Sequence, residues 1–448
     1  MATDRYVLLG LARPRAEWFR GVGQWSTSAA IPAEFLKCVS AEELRARLQS
    51  GRSFSAALLD GGMASVDRDI LEVARDAGCV VLVVDDGRGG HDWVGLGAAA
   101  VLPSNLTREA LLDALASHAP MVGRGAASPL DDGETGLDVP AWRGLVAAVC
   151  GAGGTGTSTV AAALAQGLGS DPRTTGDVVL ADLALNAEQA MLHDVRDVVP
   201  GIQELVEAHR SRRPSTGEVR ALTFAVVARR YHLLLGLRRA RYWATLRPRS
   251  FEAAVASLRT SFGVVVCDIT ADFESEDDAG SSDVEERNLM SRTAVRSADV
   301  VFAVGRPGVK GLHALVRVLA DLANAGVPAG RTVPVINEAP RQPRARAEIT
   351  SVLAELAVPA MGGGRTVAPV FLPSRRVEEA LRDAVSLPSP LPSTLAGAFL
   401  GVLERLGPAA QQEVPTLERV VPGSLGTWAD HEMRGPLDDE GDGVGGTA

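Results

Sequence analysis

The sequence predicts an α/β protein made of two doubly wound parallel-sheet domains in series, and three observations carry that reading. Short apolar runs alternate with helix-period segments along most of the chain, which is the pattern of a parallel sheet covered on both faces. At 448 residues the chain is long enough for two to three domains of roughly 150 residues each. Aromatic residues make up only 4% of a chain that is 46% hydrophobic, so its cores must be built mainly from Ala, Val and Leu, which suits close-packed α/β layers.

Residues 1–119 form the first domain. Tyr6–Leu11, Ala56–Asp60, Val80–Val84 and Ala98–Leu102 read as strands. Glu42–Gln49, Asp67–Asp76 and Thr107–His118 read as helices, the last with Asn105 or Thr107 as N-cap. This layout resembles a response-regulator receiver domain, a flavodoxin-like fold, with Asp60 at the position of the phospho-acceptor. The chemistry of a receiver is missing. Gly10-Leu-Ala-Arg13 stands where the resemblance requires an acidic pair to hold Mg²⁺, and Leu102 replaces the lysine before Pro103. The domain is therefore expected to be a pseudo-receiver used for contact.

Residues 120–142 are rich in Gly, Ala, Ser, Asp and Pro, have no periodicity, and are expected to be a linker. Residues 143–406 form the second domain. The tail, 407–448, carries Pro408, Pro415, Pro422 and Pro436 and closes on Asp438-Asp-Glu-Gly-Asp442, a composition expected to be disordered.

The chemistry of the second domain is concentrated in Val149-Cys-Gly-Ala-Gly-Gly-Thr-Gly-Thr-Ser-Thr159. The strand read at Leu145–Cys150 enters a glycine-rich turn, and an Ala-rich helix over Val160–Leu168 leaves it. Such a turn aims backbone N–H groups at one spot, and the helix N-terminus adds about half a positive charge there. Against G-x-x-x-x-G-K-[ST], the chain supplies Gly151, Gly156 and Ser158 but has Thr157 in place of lysine.

The loop is closer to the deviant K-G-G-x-G-K-[ST] pattern and resembles that of the ParA/MinD family. Gly153, Gly154, Gly156 and Ser158 fit, while Ala152 and Thr157 replace both lysines. The chain holds only Lys37 and Lys310, but a bias toward arginine would have placed Arg in the loop; Ala and Thr remove the charge. The resemblance implies further roles. Gly151, Gly153, Gly154, Thr155, Gly156, Thr157, Ser158 and Thr159 would bind nucleotide phosphates, and Asn337, ending Val333–Asn337, would read adenine. Asp268, ending Val264–Asp268, would hold Mg²⁺ together with Ser158. Asp182, ending Val178–Asp182, matches the first acid of a D-x-D pair that positions water, but Ala184 replaces the second.

A receiver-like domain ahead of a ParA/MinD-like domain with an eroded loop resembles the CpaE/TadZ group, and most nearly the actinobacterial septum-site-determining (Ssd) CpaE-like proteins. That resemblance implies a positioning or regulatory role, at the septum or for Flp/Tad pilus and secretion machinery, exercised through protein partners and a homodimer. ATP or ADP with Mg²⁺ would bind weakly, and turnover would be very low or absent. The competing readings are a slow ATPase whose dimerisation controls localisation, and a nucleoid-binding regulator.

Charge constrains the choice. The net charge of −10 argues against a general affinity for nucleic acid. Arg210–Arg249 nevertheless holds eleven arginines against one acid, Glu218. Four readings stay open for it: a solvated surface, a DNA patch, a dock for the acidic tail, or a substitute cation source. In the last, Arg238, Arg239 and Arg241 would follow a strand at Leu233–Gly236 into the nucleotide crevice. The proline-broken acidic tail cannot form a basic membrane-binding helix, so direct membrane insertion is not expected. With no signal segment, no long apolar run and four scattered cysteines (Cys38, Cys79, Cys150, Cys267), a cytoplasmic protein recruited to a pole or septum is expected.

Overall fold

Two sheets organise the chain, and each uses its apolar runs as strands. The structure is a computed structural model, and it describes residues 5–122, 143–174, 176–195, 198–360, 368–383 and 385–407. Apart from residues 120–122 and 407, the expected linker (120–142) and acidic tail (407–448) lie outside the described residues. The first sheet comprises Tyr6–Leu11 (β1), Ala33–Cys38 (β2), Ala56–Asp60 (β3), Val80–Asp85 (β4) and Ala100–Pro103 (β5). All pairings are parallel, in the order β2-β1-β3-β4-β5. That is the flavodoxin-like doubly wound order, with the switch point between β1 and β3.

Two elements here were not read from the sequence. The edge strand β2 carries Glu34 and Lys37 among its apolar residues, which blurs its pattern, and the helix Glu17–Thr27 contains Gly21 and Gly23. The helix Arg108–His118 starts as expected, with the Thr107 hydroxyl accepting from the Ala110 N–H at 3.2 Å. Between β4 and β5 the chain makes only turns, anchored by buried Trp93, whose indole N–H donates to Asp85 at 2.7 Å.

The second sheet comprises Leu145–Gly151 (β6), Val178–Asp182 (β7), Phe224–Val226 (β8), Tyr231–Leu234 (β9), Val264–Asp268 (β10), Val300–Gly305 (β11), Thr332–Ala339 (β12) and Val370–Pro373 (β13). Its order is β13-β12-β11-β6-β10-β7-β9-β8, parallel throughout except for antiparallel β8. Because β6, β7, β10 and β12 run the same way, their C-terminal ends share one edge of the sheet. Register aligns the acids there: Asp268 lies beside Asp182 on one side and Val149 on the other.

Both halves belong to one compact unit that runs to Glu404. The helix Arg68–Asp76 of the first half packs against helices Ile202–Ser211 and Pro248–Ser261 of the second. The helix Pro248–Ser261 has Arg247 at its N-cap and no side-chain cap of its own. Asp69, 3% exposed, supplies the missing cap. Its carboxylate accepts from the backbone N–H groups of Arg249 and Ser250, at 2.9 and 3.2 Å, and from the Ser250 hydroxyl at 2.7 Å. A carboxylate suits this place because the helix N-terminus is electropositive and carries unpaired N–H groups.

The arginine-rich segment is largely consumed by such contacts. Arg210 pairs with Asp67 at 3.1 Å and Arg249 with Asp76 at 2.5 Å, while Arg68 donates to the His209 carbonyl at 2.8 Å. Arg212, Arg220 and Arg238 pair with Glu218, Asp177 and Glu204. Arg229 is fully buried and donates to the carbonyls of Val385, Ala380 and Leu381. The four cysteines are buried and free, with burial pushing the thiols of Cys79, Cys150 and Cys267 up to about 12. Among the described residues no helix is long and apolar enough to cross a membrane.

Candidate nucleotide site

The glycine-rich turn sits between β6 and the helix Thr157–Ser170, as the sequence predicts. Gly154 and Gly156 hold positive φ angles of 77° and 86°, which turn the chain sharply enough to start the helix. A Cβ on Gly156 would also run into the Asn337 side chain. The backbone N–H groups of Gly153, Gly154, Gly156, Thr157 and Ser158 take no acceptor among the described residues. Together with the electropositive helix N-terminus they form an anion cradle.

The polar side chains around the loop brace it. The Thr155 hydroxyl donates to the Ala152 carbonyl at 2.7 Å and shares a 3.1 Å hydrogen bond with the Thr157 hydroxyl. Asn337, expected to read adenine, donates its amide to the Thr155 carbonyl at 2.9 Å, so β12 holds the loop in place. Thr157 thus points its oxygen into the loop's own framework, and the loop carries no cation of its own.

Two residues that the sequence reading missed complete the site. Arg306, which follows β11, donates to the Gly154 carbonyl at 3.4 Å and pairs with Glu338. It is the arginine that touches the loop. The expectation for Arg238, Arg239 and Arg241 is corrected: β9 lies three strands from β6, about 14 Å to the side. Arg238 there binds Gln203 and Glu204 instead.

The second missed residue is Gln189. It is fully buried, and its amide donates to Asp268 Oδ2 at 2.7 Å and to the Ser158 carbonyl at 3.0 Å. Its backbone N–H donates to Asp182 at 2.9 Å. Its own Oε1 is buried without a partner. From behind, His193 Nδ1 hydrogen-bonds the Gln189 carbonyl at 2.7 Å, and His193 Nε2 lies 2.6 Å from the Tyr231 hydroxyl.

Burial raises both acids. Asp268 is pushed up to about 6, against hydrogen bonds from Gln189 and Ser158 that pull the other way. Asp182 is pushed well above the usual carboxylate range by burial and by the Asp268 charge. It is spent on the backbone N–H groups of Gln189 and Ala184.

These positions answer whether nucleotide and Mg²⁺ fit. The cradle of open N–H groups fits a phosphate chain. Beside it, a pocket of about 400 Å³ runs from Gly156 and Thr159 past Met191 and Asn337 to Arg375 and Leu381, large enough for the rest of a nucleotide. The cation position is narrowed as it stands: the Gln189 amide N–H takes Oδ2, one of the two Asp268 oxygens that could serve a metal or its water. Among the described residues no three His, Cys, Asp or Glu side chains gather as metal ligands.

No protein-family model matches the chain, and no curated protein matches it. Solved structures do. A ParA family ATPase from Chlorobium tepidum TLS is similar at 15% identity and a TM-score of 0.42, covering 57% of this chain and 98% of that one. The cell division ATPase MinD of Pyrococcus furiosus is 19% identical with a TM-score of 0.42, covering 59% of this chain and 99% of its own. The septum site-determining protein MinD of Pyrococcus horikoshii OT3, solved with Mg-ADP, is 19% identical with a TM-score of 0.40 over 60% and 97% of the two chains.

Proposed function

We propose that this chain is a ParA/MinD-like positioning scaffold that binds nucleotide phosphates without turning them over. One observation carries the reading. The phosphate cradle is open, while the two places that would stabilise and activate a γ-phosphate are filled by neutral groups, Thr157 and the Gln189 amide. Transition-state charge on a phosphoryl group needs a cation or metal beside it, and losing one such donor costs on the order of 10² in rate or more. Binding survives because backbone N–H groups supply it.

The sequence resemblance to CpaE/TadZ and Ssd proteins gives the scaffold its cellular sense: placing a septum, or a pilus or secretion assembly, through protein partners. The first half, whose phospho-acceptor position is closed, would serve as a contact domain. Titration of ADP and ATP together with a steady-state hydrolysis assay tests this. The expected result is binding with turnover at background. Steady turnover at the level of a lysine-bearing enzyme, abolished by Asp268→Ala, would refute it.

One observation favours a second reading, a slow ATPase. Arg306 touches the loop and could lend the missing charge, although Glu338 already neutralises it. Measurable turnover in the wild type that disappears in Arg306→Ala would select that reading.

A further inference from the structure

A cleft of about 690 Å³ opens at the other end of the large sheet, away from the phosphate loop. Arg68, Arg143, Arg213, Arg259, Arg296 and His209 line it, and Glu252 is the single acid in its wall. Arg143 precedes β6 and Arg296 precedes β11, so the cleft lies at the N-terminal ends of strands whose C-terminal ends carry the nucleotide site. With β6 seven residues long, the two sites are about 20 Å apart.

The charges in this wall do not cancel. Arg68 pairs with Glu72 at 3.0 Å, Arg259 with Asp299 at 3.6 Å and Arg296 with Glu252 at 3.2 Å. Among the described residues Arg143 and Arg213 have no ion-pair partner. The hydroxyls of Thr216, Thr260 and Thr293 add neutral donors to the same wall.

His209 lies in the same wall as a buried, neutral imidazole. It is 2% exposed, and its Nδ1 is buried without a partner. The Ser257 hydroxyl donates to the Ala254 carbonyl at 2.7 Å, so at the 2.9 Å contact His209 Nε2 must be the donor. Nδ1 is then a bare acceptor lacking a donor. Burial first, and then the charges of Arg68, Arg213 and Arg212, push the imidazole down to about 3.

We infer that this cleft binds a small, multiply charged phosphate compound, held by Arg143 and Arg213 and bridged to the first half of the chain through Arg68. Its volume is that of a small-molecule site, and paired guanidinium groups with hydroxyls around them are the donors a polyphosphate needs. A ligand there would tie the two halves together at a distance from the nucleotide loop.

Titration calorimetry on the full chain with sodium tripolyphosphate in low-salt buffer tests the inference, using wild type, Arg143→Glu/Arg213→Glu and Gly156→Val. Both arginines are exposed, so the double variant should fold. The expected result is a binding event that persists in Gly156→Val and weakens at least tenfold when Arg143→Glu and Arg213→Glu are added to Gly156→Val. No binding by wild type, or unchanged binding when the two glutamates are added to Gly156→Val, would overturn it. Binding lost only in Gly156→Val would assign the event to the phosphate loop and equally overturn the cleft. Duplex DNA retained by wild type in the absence of tripolyphosphate binding would do so in favour of a nucleic-acid surface. Because the comparison is made in Gly156→Val, whose added side chain obstructs the loop, its outcome is separable from phosphate binding there.

Discussion

Each half of the molecule places a buried carboxylate at the C-terminal end of a central strand, and each closes it with an internal donor of a different kind. In the first half Asp60, 1% exposed, is gripped by Arg13: Nε and Nη2 donate at 2.8 and 3.0 Å, and the Arg13 backbone N–H adds a third bond at 3.1 Å. Gly62 N–H donates a fourth at 3.0 Å. In the second half Asp268 meets the neutral Gln189 amide at 2.7 Å. A full charge neutralises Asp60; an amide dipole leaves the charge of Asp268 uncompensated. The first site is therefore shut by a strong pair, while the second is only blocked.

Four measurements test this contrast. The largest effect is expected at Arg13. Arg13→Ala leaves Asp60 buried without its counter-charge and should cost about 3 kcal/mol in urea unfolding, with most of it recovered in Arg13→Ala/Asp60→Asn. Because the Arg13 side chain is 57% exposed, solvent screening sets the other bound. A loss under about 0.5 kcal/mol would reduce the grip to an ordinary surface pair and erase the distinction.

Next is Asp268. Its folded-state value near 6 lies above the ordinary 3.8, so the stability of the protonated form is fully present below about pH 4 and is lost as pH rises through 6. Asp268→Asn should therefore stabilise the protein on the order of 2–3 kcal/mol at pH 8, and the gain should vanish by about pH 4. His193 and His209, held down to about 4 and 3 by burial, act in the opposite direction below pH 6.5. Melting curves of variant and wild type at each pH report Asp268 together with Asp182, because removing the Asp268 charge also relieves its neighbour. A gain independent of pH would mean that Gln189 already compensates the charge.

The third test concerns the contact between the halves. Asp69→Ala removes the cap from the helix Pro248–Ser261 and should cost about 1–2 kcal/mol, read as faster hydrogen exchange in the first turn of that helix. If exchange there is unchanged, the halves are held by other contacts and the cap is incidental.

The smallest effect is expected at Gln189. Gln189→Ala frees the Asp268 oxygen, so ADP binding should gain a dependence on Mg²⁺ of roughly three- to tenfold, the worth of about one hydrogen bond. Titrations with and without Mg²⁺ that give the same ratio as wild type would show that the amide is not what keeps the cation out.

Much of the frame was legible because strands buried on both faces must be apolar from end to end. β1, β3, β7 and β10 fall on the residues predicted for them, since each is a short apolar run closed by a turn or an acid. β2 and β8 were missed because partial exposure mixes polar residues into their patterns. β11 is apolar throughout, and a run that short has no period to separate a buried strand from a buried helix segment. The glycine loop was legible for a different reason: the positive φ at Gly154 and Gly156 strongly favours glycine, and at Gly156 a Cβ would also meet Asn337.

The information carried along the chain is local: which apolar runs become buried strands, where a glycine-rich turn starts a helix, and that the loop contains no lysine. The partners of the charged groups were decided only in three dimensions. Arg13 and Asp60 are 47 positions apart, Gln189 and Asp268 are 79 apart, and Asp69 and Ser250 are 181 apart. Periodicity and propensity act over a few residues, whereas a buried charge is satisfied by whichever donor the sheet order brings beside it. Eleven arginines in forty residues looked like one patch along the chain; folding assigned Arg210, Arg247 and Arg249 to a contact between the halves, Arg229 to a buried brace, and Arg212, Arg220 and Arg238 to separate ion pairs.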